Sequence, residues 1–345
     1  MPLASDLTLN AAKFTPAAHS AQAKGLNATI EERATGAPLW YEVGAARYRE
    51  MRWAGQTSLP APVLLPQALS INIPSREQGR EIPCRLLYPQ ARTGTTAEAR
   101  RAVKGVLVHF HGGGWVLGDE RSLDGLLQFY ADAGDLVVVS VGYRLAPEYP
   151  FPKGPEDCVD TGEYLLKNAE SLYGASVKFI AGDSAGAHLA VLTTFHLLKT
   201  HPDVMLAGLV LHYGCFDLSE LPSVKHFERN LILNHTTMDK FLSAFLPNHT
   251  PDQRKVGSIS PYYENLEPLR GRLPSALFTI GTEDLLVDDT VTMATKWMMF
   301  GGEAIVRVFP GCPHGFIGFP AEVLKEAGDV LQDTKTFIEE RVGKA

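Results

Sequence analysis

The sequence is poor in cysteine and lacks an obvious export signal, and these shortages exclude some classes of protein. Its 345 residues include four widely spaced cysteines that form no C-x-x-C pair, namely Cys84, Cys158, Cys215 and Cys312. This usage disfavours a disulfide scaffold and favours reduced thiols in a cytoplasmic protein. Residues 1–6 carry neither a basic start nor a continuous apolar stretch, so we expect no signal peptide.

Basic clusters and long apolar runs are missing as well. The formal charge is -7 and the isoelectric point is about 5.9, which argues against nucleic acid as a partner. No apolar stretch approaches the roughly 20 residues that a membrane-spanning helix needs. We therefore expect no integral membrane segment. We further expect a small molecule as the partner and a protein that is a monomer or a homodimer.

What is present is a regular alternation of short β-branched runs and longer amphipathic ones. The runs predict strands at residues 68–73, 82–88, 105–110, 136–141, 177–181, 208–213, 276–280 and 304–308. They predict helices near residues 122–133, 156–171, 185–200, 290–300 and 322–342. Such alternation is typical of an α/β fold with a mostly parallel central sheet and helices on both faces. The runs at 105–110 and 136–141 are apolar throughout, which indicates central strands buried on both sides.

Two segments interrupt this alternation. Residues 1–60 have helical spacing with aromatic residues but no strand signal, and residues 216–272 contain helix-like stretches and proline-bearing turns. We interpret both as a helical cap over the carboxyl edge of the sheet, where open α/β sheets bind their ligands. The catalytic core then comprises residues 61–215 and 273–345.

Two glycine-rich motifs carry the chemistry. The motif H-G-G-G-W at residues 111–115 follows a buried strand, and its bare backbone N–H groups can surround a negative oxygen. The motif G-D-S-A-G at residues 182–186 matches the sharp strand-to-helix turn that exposes a nucleophilic serine. An anion-stabilising loop together with an exposed serine is the equipment for acyl transfer.

A base and an acid follow Ser184 in the order serine, acid, histidine. Asp284 and His314 both come just after predicted strands, so they are expected at the same edge of the sheet as the serine. Spacing favours Asp284 as the acid, with Glu283 and Asp288 as alternatives. In this interpretation Ser184 attacks a carbonyl carbon, His314 transfers the proton and Asp284 orients the imidazole.

Further residues receive supporting roles. The oxyanion donors are predicted to be the backbone N–H groups of Gly113, Gly114 and Ala185. The side chains of Trp115 and Phe216 are predicted pocket walls. His111 is interpreted as an anchor of the oxyanion loop. Arg144 is expected to be held in an ion network by three nearby carboxylates, Glu148, Glu156 and Asp157, and Asp288 and Asp289 are expected to satisfy the first turn of a helix.

Taken together, these motifs resemble the hormone-sensitive lipase family of α/β-hydrolases. The resemblance extends from about residue 80 to about residue 320, through Y-R-L-A-P-E at 143–148, S-P at 260–261, D-x-L-x-D at 284–288 and H-G-F at 314–316. It implies the α/β-hydrolase fold, a helical cap, and a carboxylic ester hydrolase for short to medium acyl chains that needs neither cofactor nor metal. The chain departs from the family pattern at Ala187, where glycine is usual, and at His188, where asparagine is common.

Two other functions fit the same motifs. One is a ligand-binding protein that kept the fold and lost the chemistry, as some plant hormone receptors resembling this family have, and such receptors typically replace the histidine that is present here as His314. The other is a narrow-specificity deacetylase, which is chemically the same enzyme with a narrower pocket. Peptide hydrolysis is less favoured, because 345 residues leave no room for the large filtering domain of such peptidases.

Overall fold

The computed structural model describes residues 8–94, 96 and 102–343, and these residues contain an eight-stranded sheet. The strands are β1 (Leu69–Pro74), β2 (Glu81–Leu87), β3 (Gly105–Phe110), β4 (Leu136–Val141), β5 (Val177–Asp183), β6 (Gly208–His212), β7 (Ala276–Glu283) and β8 (Ala304–Pro313). Their order in the sheet is β1-β2-β4-β3-β5-β6-β7-β8. Strands β1 and β2 are antiparallel to their neighbours and the other pairs are parallel, so the predicted fold class is confirmed. The residues examined for an export signal lie outside the described residues, as do small parts of the predicted segments 1–60, 61–215 and 273–345.

Helices pack on both faces of this sheet. They are α1 (Ala21–Ala34), α2 (Trp40–Val43), α3 (Ala45–Trp53), α4 (Asp124–Gly134), α5 (Lys153–Tyr173), α6 (Ala185–Thr200), α7 (Pro222–Lys225), α8 (His235–Phe245), α9 (Val287–Met299) and α10 (Lys325–Arg341). Helices α4 and α10 cover one face, where Leu127 and Phe337 belong to one apolar cluster with Leu107. Helices α5, α6 and α9 cover the other face. Successive strand residues therefore enter different cores, as expected of a sheet buried on both sides.

The central strands form as their composition predicts. All residues of β3 and β4 are buried, and the two strands pair in parallel from Gly105 opposite Leu136 to Phe110 opposite Val141. In a continuous apolar run the side chains on both faces of the strand are apolar, so the strand is stable only where helices cover both faces. The sheet and its two layers of helices form the rigid frame from which the loops at the carboxyl edge project.

Three strands run at least two residues further than their composition predicts. The predicted strands end at residues 181, 280 and 308, whereas β5, β7 and β8 continue to Asp183, Glu283 and Pro313. The extensions contain glycine, proline and charged residues, which disfavour strands locally, but pairing with neighbouring strands outweighs that preference. Each strand now ends directly before one of the three residues predicted to carry the chemistry.

The two predicted cap segments contact each other and the edge of the sheet. Trp40 of α2 stacks on Phe241 of α8, with ring centroids 5.0 Å apart and an interplanar angle of 10°. The N-terminal segment also lies along the outermost strand, β8. There Lys13 Nζ donates to the carbonyl oxygen of Val308 at 2.8 Å, and Asn27 Nδ2 donates to that of Gly311 at 2.9 Å. The division of the chain into cap and core stays a prediction.

The ion network around Arg144 differs in two members from the expected one, since Glu148 is absent and Glu77 accepts from Arg144 Nη1 at 2.8 Å. Arg144 donates twice to Asp157, at 2.9 and 3.0 Å from Nη2 and Nε, and Glu156 lies 3.7 Å away. The prediction for Glu148 is wrong, because its carboxylate pairs with Arg49 of α3 instead. The reason is that Arg49, almost one hundred residues earlier in the chain, reaches this loop from the N-terminal segment.

In the portion of the chain that the structure covers, no helix is both long and apolar enough to cross a membrane.

Candidate active site

Ser184 occupies the tight turn between β5 and α6. Its backbone has φ 55° and ψ -120°, a conformation that costs an L-residue on the order of 1–3 kcal/mol and is held by the surrounding structure. The two glycines of the motif are required by space: a Cβ on Gly186 would collide with the carbonyl oxygen of Phe110, and one on Gly182 with that of Gly186. The turn thus presents the serine hydroxyl at the carboxyl edge of the sheet.

The serine hydroxyl, the imidazole and a carboxylate form one hydrogen-bonded chain. Ser184 Oγ lies 2.9 Å from His314 Nε2, and His314 Nδ1 lies 2.8 Å from Asp284 Oδ2. The other oxygen of Asp284 accepts the Leu286 N–H at 2.9 Å, which fixes the plane of the carboxylate. Asp284 and His314 are buried, at 1% and 7% exposure, so little water competes for these bonds. A carboxylate on Nδ1 keeps the proton there and leaves Nε2 free to accept from serine.

Neither alternative acid touches the histidine. Glu283 pairs with Arg229 at 2.8 Å, and Asp288 accepts the backbone N–H of Ser223 at 2.9 Å. The structure therefore brings Asp284, and not its neighbours, to His314.

Asp288 and Asp289 lie in the first turn of α9, but they do not satisfy it. The carboxylate of Asp289 accepts the N–H groups of Phe216 and Asp217 at 2.6 and 2.7 Å. The expectation that these two carboxylates cap the helix is wrong, because they fasten the chain that leaves β6 instead. Asp289 is fully buried, and burial raises the pKa of its carboxyl well above the usual range.

The predicted oxyanion turn has an unusual backbone. Gly113, Gly114 and Trp115 have φ values of 116°, 60° and 60° in succession. The Gly113 carbonyl oxygen accepts the N–H groups of Val116 and Leu117 at 3.1 and 2.8 Å, which closes the turn. A side chain on Gly114 would strike the ring of Phe241, so the cap leaves room there only for glycine. Ala185 is the first residue of α6, where helix N–H groups lack an intrahelical acceptor.

Two side chains, one buried and one partly buried, hold the start of this turn. Asp183 Oδ2 accepts the Gly112 N–H at 3.1 Å, and its other oxygen lies 3.3 Å from His109 Nε2. His111 stacks on Tyr143 with ring centroids 4.3 Å apart, and its Nδ1 lies 2.8 Å from the Gly112 oxygen. Both contacts agree with an anchoring role for His111.

The two predicted pocket walls are almost fully buried. Trp115 is 2% exposed and stacks on Phe245 of α8, with ring centroids 4.7 Å apart. Phe216 is 1% exposed and meets Phe278 edge-on. Their assignment as pocket walls stays a prediction.

One neighbour of the imidazole was not singled out from the sequence. The ring of Tyr213 meets His314 edge-on, with centroids 4.9 Å apart. It follows β6 directly, and an aromatic residue at the carboxyl end of a predicted parallel strand was the available signal. Among the described residues, no group of three or more His, Cys, Asp or Glu is arranged to hold a metal ion.

Stability is expected to fall as the pH falls from about 6.5 to about 4. Burial lowers the pKa of both His188 and His212 to about 4. In this window the unfolded chain binds a proton on each histidine and the folded chain does not, so the free energy of unfolding decreases by roughly 1.4 kcal/mol per pH unit for each. Urea unfolding at several pH values measures this slope.

The matched variant for this measurement is His188→Asn. His188 Nδ1 accepts the indole N–H of Trp115 at 3.1 Å, and its Nε2 bonds the Ile259 oxygen at 2.7 Å. The variant is expected to flatten the slope by about one proton, whereas replacing the exposed His226 by asparagine should not. Equal slopes in wild type and His188→Asn would contradict the assignment.

Comparison with known proteins supports the interpretation of these motifs. A family profile described as the α/β hydrolase fold matches residues 107–318. An ethyl acetate hydrolase of Pseudomonas putida is 29% identical over 255 residues, which cover 73% of this chain and 76% of that protein. The carboxylesterase NlhH of Mycobacterium tuberculosis is 29% identical over 286 residues, covering 81% and 82%. The solved structure of an esterase from Pyrobaculum calidifontis superposes with a TM-score of 0.72 at 25% identity, covering 86% of this chain and 93% of that one.

Proposed function

This chain belongs to the α/β-hydrolase family, in the branch that resembles hormone-sensitive lipase, and is a serine ester hydrolase; from that premise we propose that it cleaves short- to medium-chain carboxylic esters through an acyl-enzyme on Ser184. The observation that carries the proposal is the hydrogen-bonded chain from Ser184 through His314 to Asp284. A serine hydroxyl is a weak nucleophile until a base takes its proton. In this proposal His314 is the base and Asp284 is the acid that orients it.

Acylation starts with Ser184 Oγ attacking the ester carbonyl carbon. His314 Nε2, 2.9 Å from the hydroxyl, takes the proton as the new C–O bond forms, and the carbonyl electron pair moves onto oxygen. When the tetrahedral intermediate collapses, the bond to the alcohol oxygen breaks and Nε2 gives the proton to the leaving alkoxide. The products are a free alcohol and an acyl ester of Ser184.

Deacylation repeats the same steps with water. His314 takes a proton from the water as its oxygen attacks the acyl carbon, and then returns it to Ser184 Oγ as the carboxylic acid leaves. Asp284 stabilises the imidazolium that forms twice in each cycle. Its position at 1% exposure strengthens that interaction, because buried charges are screened less than exposed ones.

The negative oxygen of both intermediates needs fixed donors. We assign these to the backbone N–H groups of Gly113 and Gly114 in the first motif and of Ala185 in the second. The removal of one such donor typically costs about 3–4 kcal/mol of transition-state stabilisation. The N-terminus of α6 adds a partial positive charge at the same place.

One relative supports a preference for small esters. It is named for the hydrolysis of ethyl acetate, a two-carbon acyl group on a two-carbon alcohol. In this chain the ring of Phe241 lies against Gly114, and Trp40 stacks on that ring, so two aromatic residues limit the space above the oxyanion turn. We therefore infer a site for short to medium acyl chains.

The test is a series of initial rates on p-nitrophenyl esters from acetate to palmitate. We expect turnover that depends on Ser184 and is greatest for short or medium chains, with the Ser184→Ala variant defining the background. An optimum at palmitate would overturn the substrate class and favour a lipase. Absence of serine-dependent turnover on every chain length would favour a narrow deacetylase or a binding protein.

A further inference from the structure

One arginine of the N-terminal segment grips the oxyanion turn from outside the active site. Arg49 of α3 donates from Nε to the carbonyl oxygen of Val116 at 2.8 Å, and from Nη2 to that of Ala146 at 2.9 Å. The N–H of Ala146 in turn donates to the carbonyl oxygen of Trp115 at 2.9 Å. Arg49 thus holds the backbone at residue 116 directly and at residue 115 through one intermediate.

The guanidinium is itself held in place. The two oxygens of Glu148 accept from Nη1 and Nη2 of Arg49 at 3.0 and 2.8 Å. This bidentate pair fixes the plane of the guanidinium, and the pairing lowers the pKa of Glu148 so that the carboxylate stays ionised. A planar fork of donors can serve two carbonyls and a carboxylate at once, which a lysine ammonium cannot reproduce in the same geometry.

The turn needs such support because its backbone is strained. Trp115 has φ 60°, which costs a bulky L-residue about 1–2 kcal/mol, and it follows two glycines that also have positive φ. A strained segment persists only where surrounding contacts over-determine it. The carbonyl oxygens of Trp115 and Val116 are the acceptors through which that constraint is applied.

A second contact ties the same helix to the far end of the loop. The indole N–H of Trp53, in the last turn of α3, donates to Asp119 Oδ2 at 2.9 Å. Helix α3 therefore contacts the loop both at Val116 and at Asp119, on either side of Gly118.

We propose that Arg49 is a positioning residue for catalysis, which sets the oxyanion donors Gly113 and Gly114 by fixing the backbone that follows them. This rests on the proposed esterase function. Arg49 touches no reacting atom in that mechanism. Its effect should appear in the transition state, where the donors must meet a tetrahedral oxyanion, and much less in the binding of the ester itself.

The experiment compares Arg49→Ala and Arg49→Lys with Arg47→Ala. Arg47 lies on the same helix, but it is largely exposed and forms an ion pair with Glu50 one turn away, so it controls for loss of charge in α3. Measurements are kcat and KM on p-nitrophenyl butyrate, the melting temperature, and the inhibition constant of a trifluoromethyl ketone. Such a ketone adds to the serine and forms an oxyanion, so its affinity reports the oxyanion hole.

We expect Arg49→Ala to lower kcat by about 10- to 100-fold with KM changed by less than about threefold. The affinity of the enzyme for the ketone should fall by about the same factor as kcat/KM, because both depend on the oxyanion donors. Arg49→Lys should lower kcat by a smaller factor than Arg49→Ala. Its melting temperature should equal that of the wild type. Added guanidinium ion at tens of millimolar should restore part of the activity of Arg49→Ala. It should not raise the activity of Arg47→Ala.

Each outcome decides the matter. If wild type shows no serine-dependent turnover, the proposed function fails and not this inference alone. If wild type turns over and both Arg49 variants match Arg47→Ala, the positioning role is wrong. If Arg49→Ala does not fold, the same measurements on Arg49→Lys decide. A loss of kcat without weaker binding of the ketone would mean that Arg49 contributes only to general stability.

Discussion

The Ser184→Ala variant is expected to fold and to hydrolyse esters with kcat lowered by about 10⁴- to 10⁶-fold. The physical reason is that the proposed nucleophile is the hydroxyl oxygen 2.9 Å from His314 Nε2, and the methyl group of alanine cannot take its place. The variant keeps the oxyanion donors and the cap. Rates on p-nitrophenyl butyrate and labelling by a fluorophosphonate measure the loss, and labelling should disappear with it.

A second variant at this position separates chemistry from backbone strain. With φ 55° and ψ -120°, position 184 suits glycine better than alanine, so Ser184→Gly should be more stable than Ser184→Ala by about 1 kcal/mol although both are inactive. Chemical unfolding of the two variants gives the difference. Near-normal activity in either variant would show that another residue is the nucleophile.

The Asp284→Asn variant is expected to lose about 10⁴-fold in kcat while KM changes little. An amide in this place donates to His314 Nδ1, so the imidazole proton moves to Nε2, where it blocks acceptance from Ser184. The geometry is otherwise preserved, because the Leu286 N–H still has an oxygen to bond.

Asp288→Asn is the matched control for this prediction. Asp288 is four residues away, and its carboxylate accepts the Ser223 N–H without contacting His314. Its replacement should change kcat by less than about threefold, since an amide oxygen can accept the same bond. If Asp288→Asn is the crippling variant and Asp284→Asn is not, the assignment of the acid is wrong.

The parts of the fold that the sequence predicted well are those where burial alone decides the structure. Strands β3 and β4 and helix α6 begin and end at the predicted residues, because continuous apolar runs and a sharp glycine turn leave few alternatives. The pairing of Ser184, Asp284 and His314 was also reachable, since residues after parallel strands share one edge of the sheet.

The remaining differences arise from contacts between distant segments. The ends of β5, β7 and β8 depend on partners in neighbouring strands, as where Glu283 lies opposite Pro313, and local composition contains no sign of them. The partner of Glu148 was missed for the same reason, because Arg49 belongs to an N-terminal segment whose docking no local pattern encodes.

The contacts of the N-terminal residues with β8 have a consequence for how the molecule folds. Synthesis proceeds from the N-terminus, so Lys13 and Asn27 emerge long before the carbonyl groups of Val308 and Gly311 that they bind. His314, directly after the same strand, is the last of the three reacting groups to be made. Both early and late parts of the chain thus meet at one edge strand, and in the proposed mechanism a nascent chain cannot hydrolyse esters until that strand has docked. During refolding, the return of hydrolysis by the proposed mechanism therefore requires β8 to have docked, and formation of the central strands alone does not restore it.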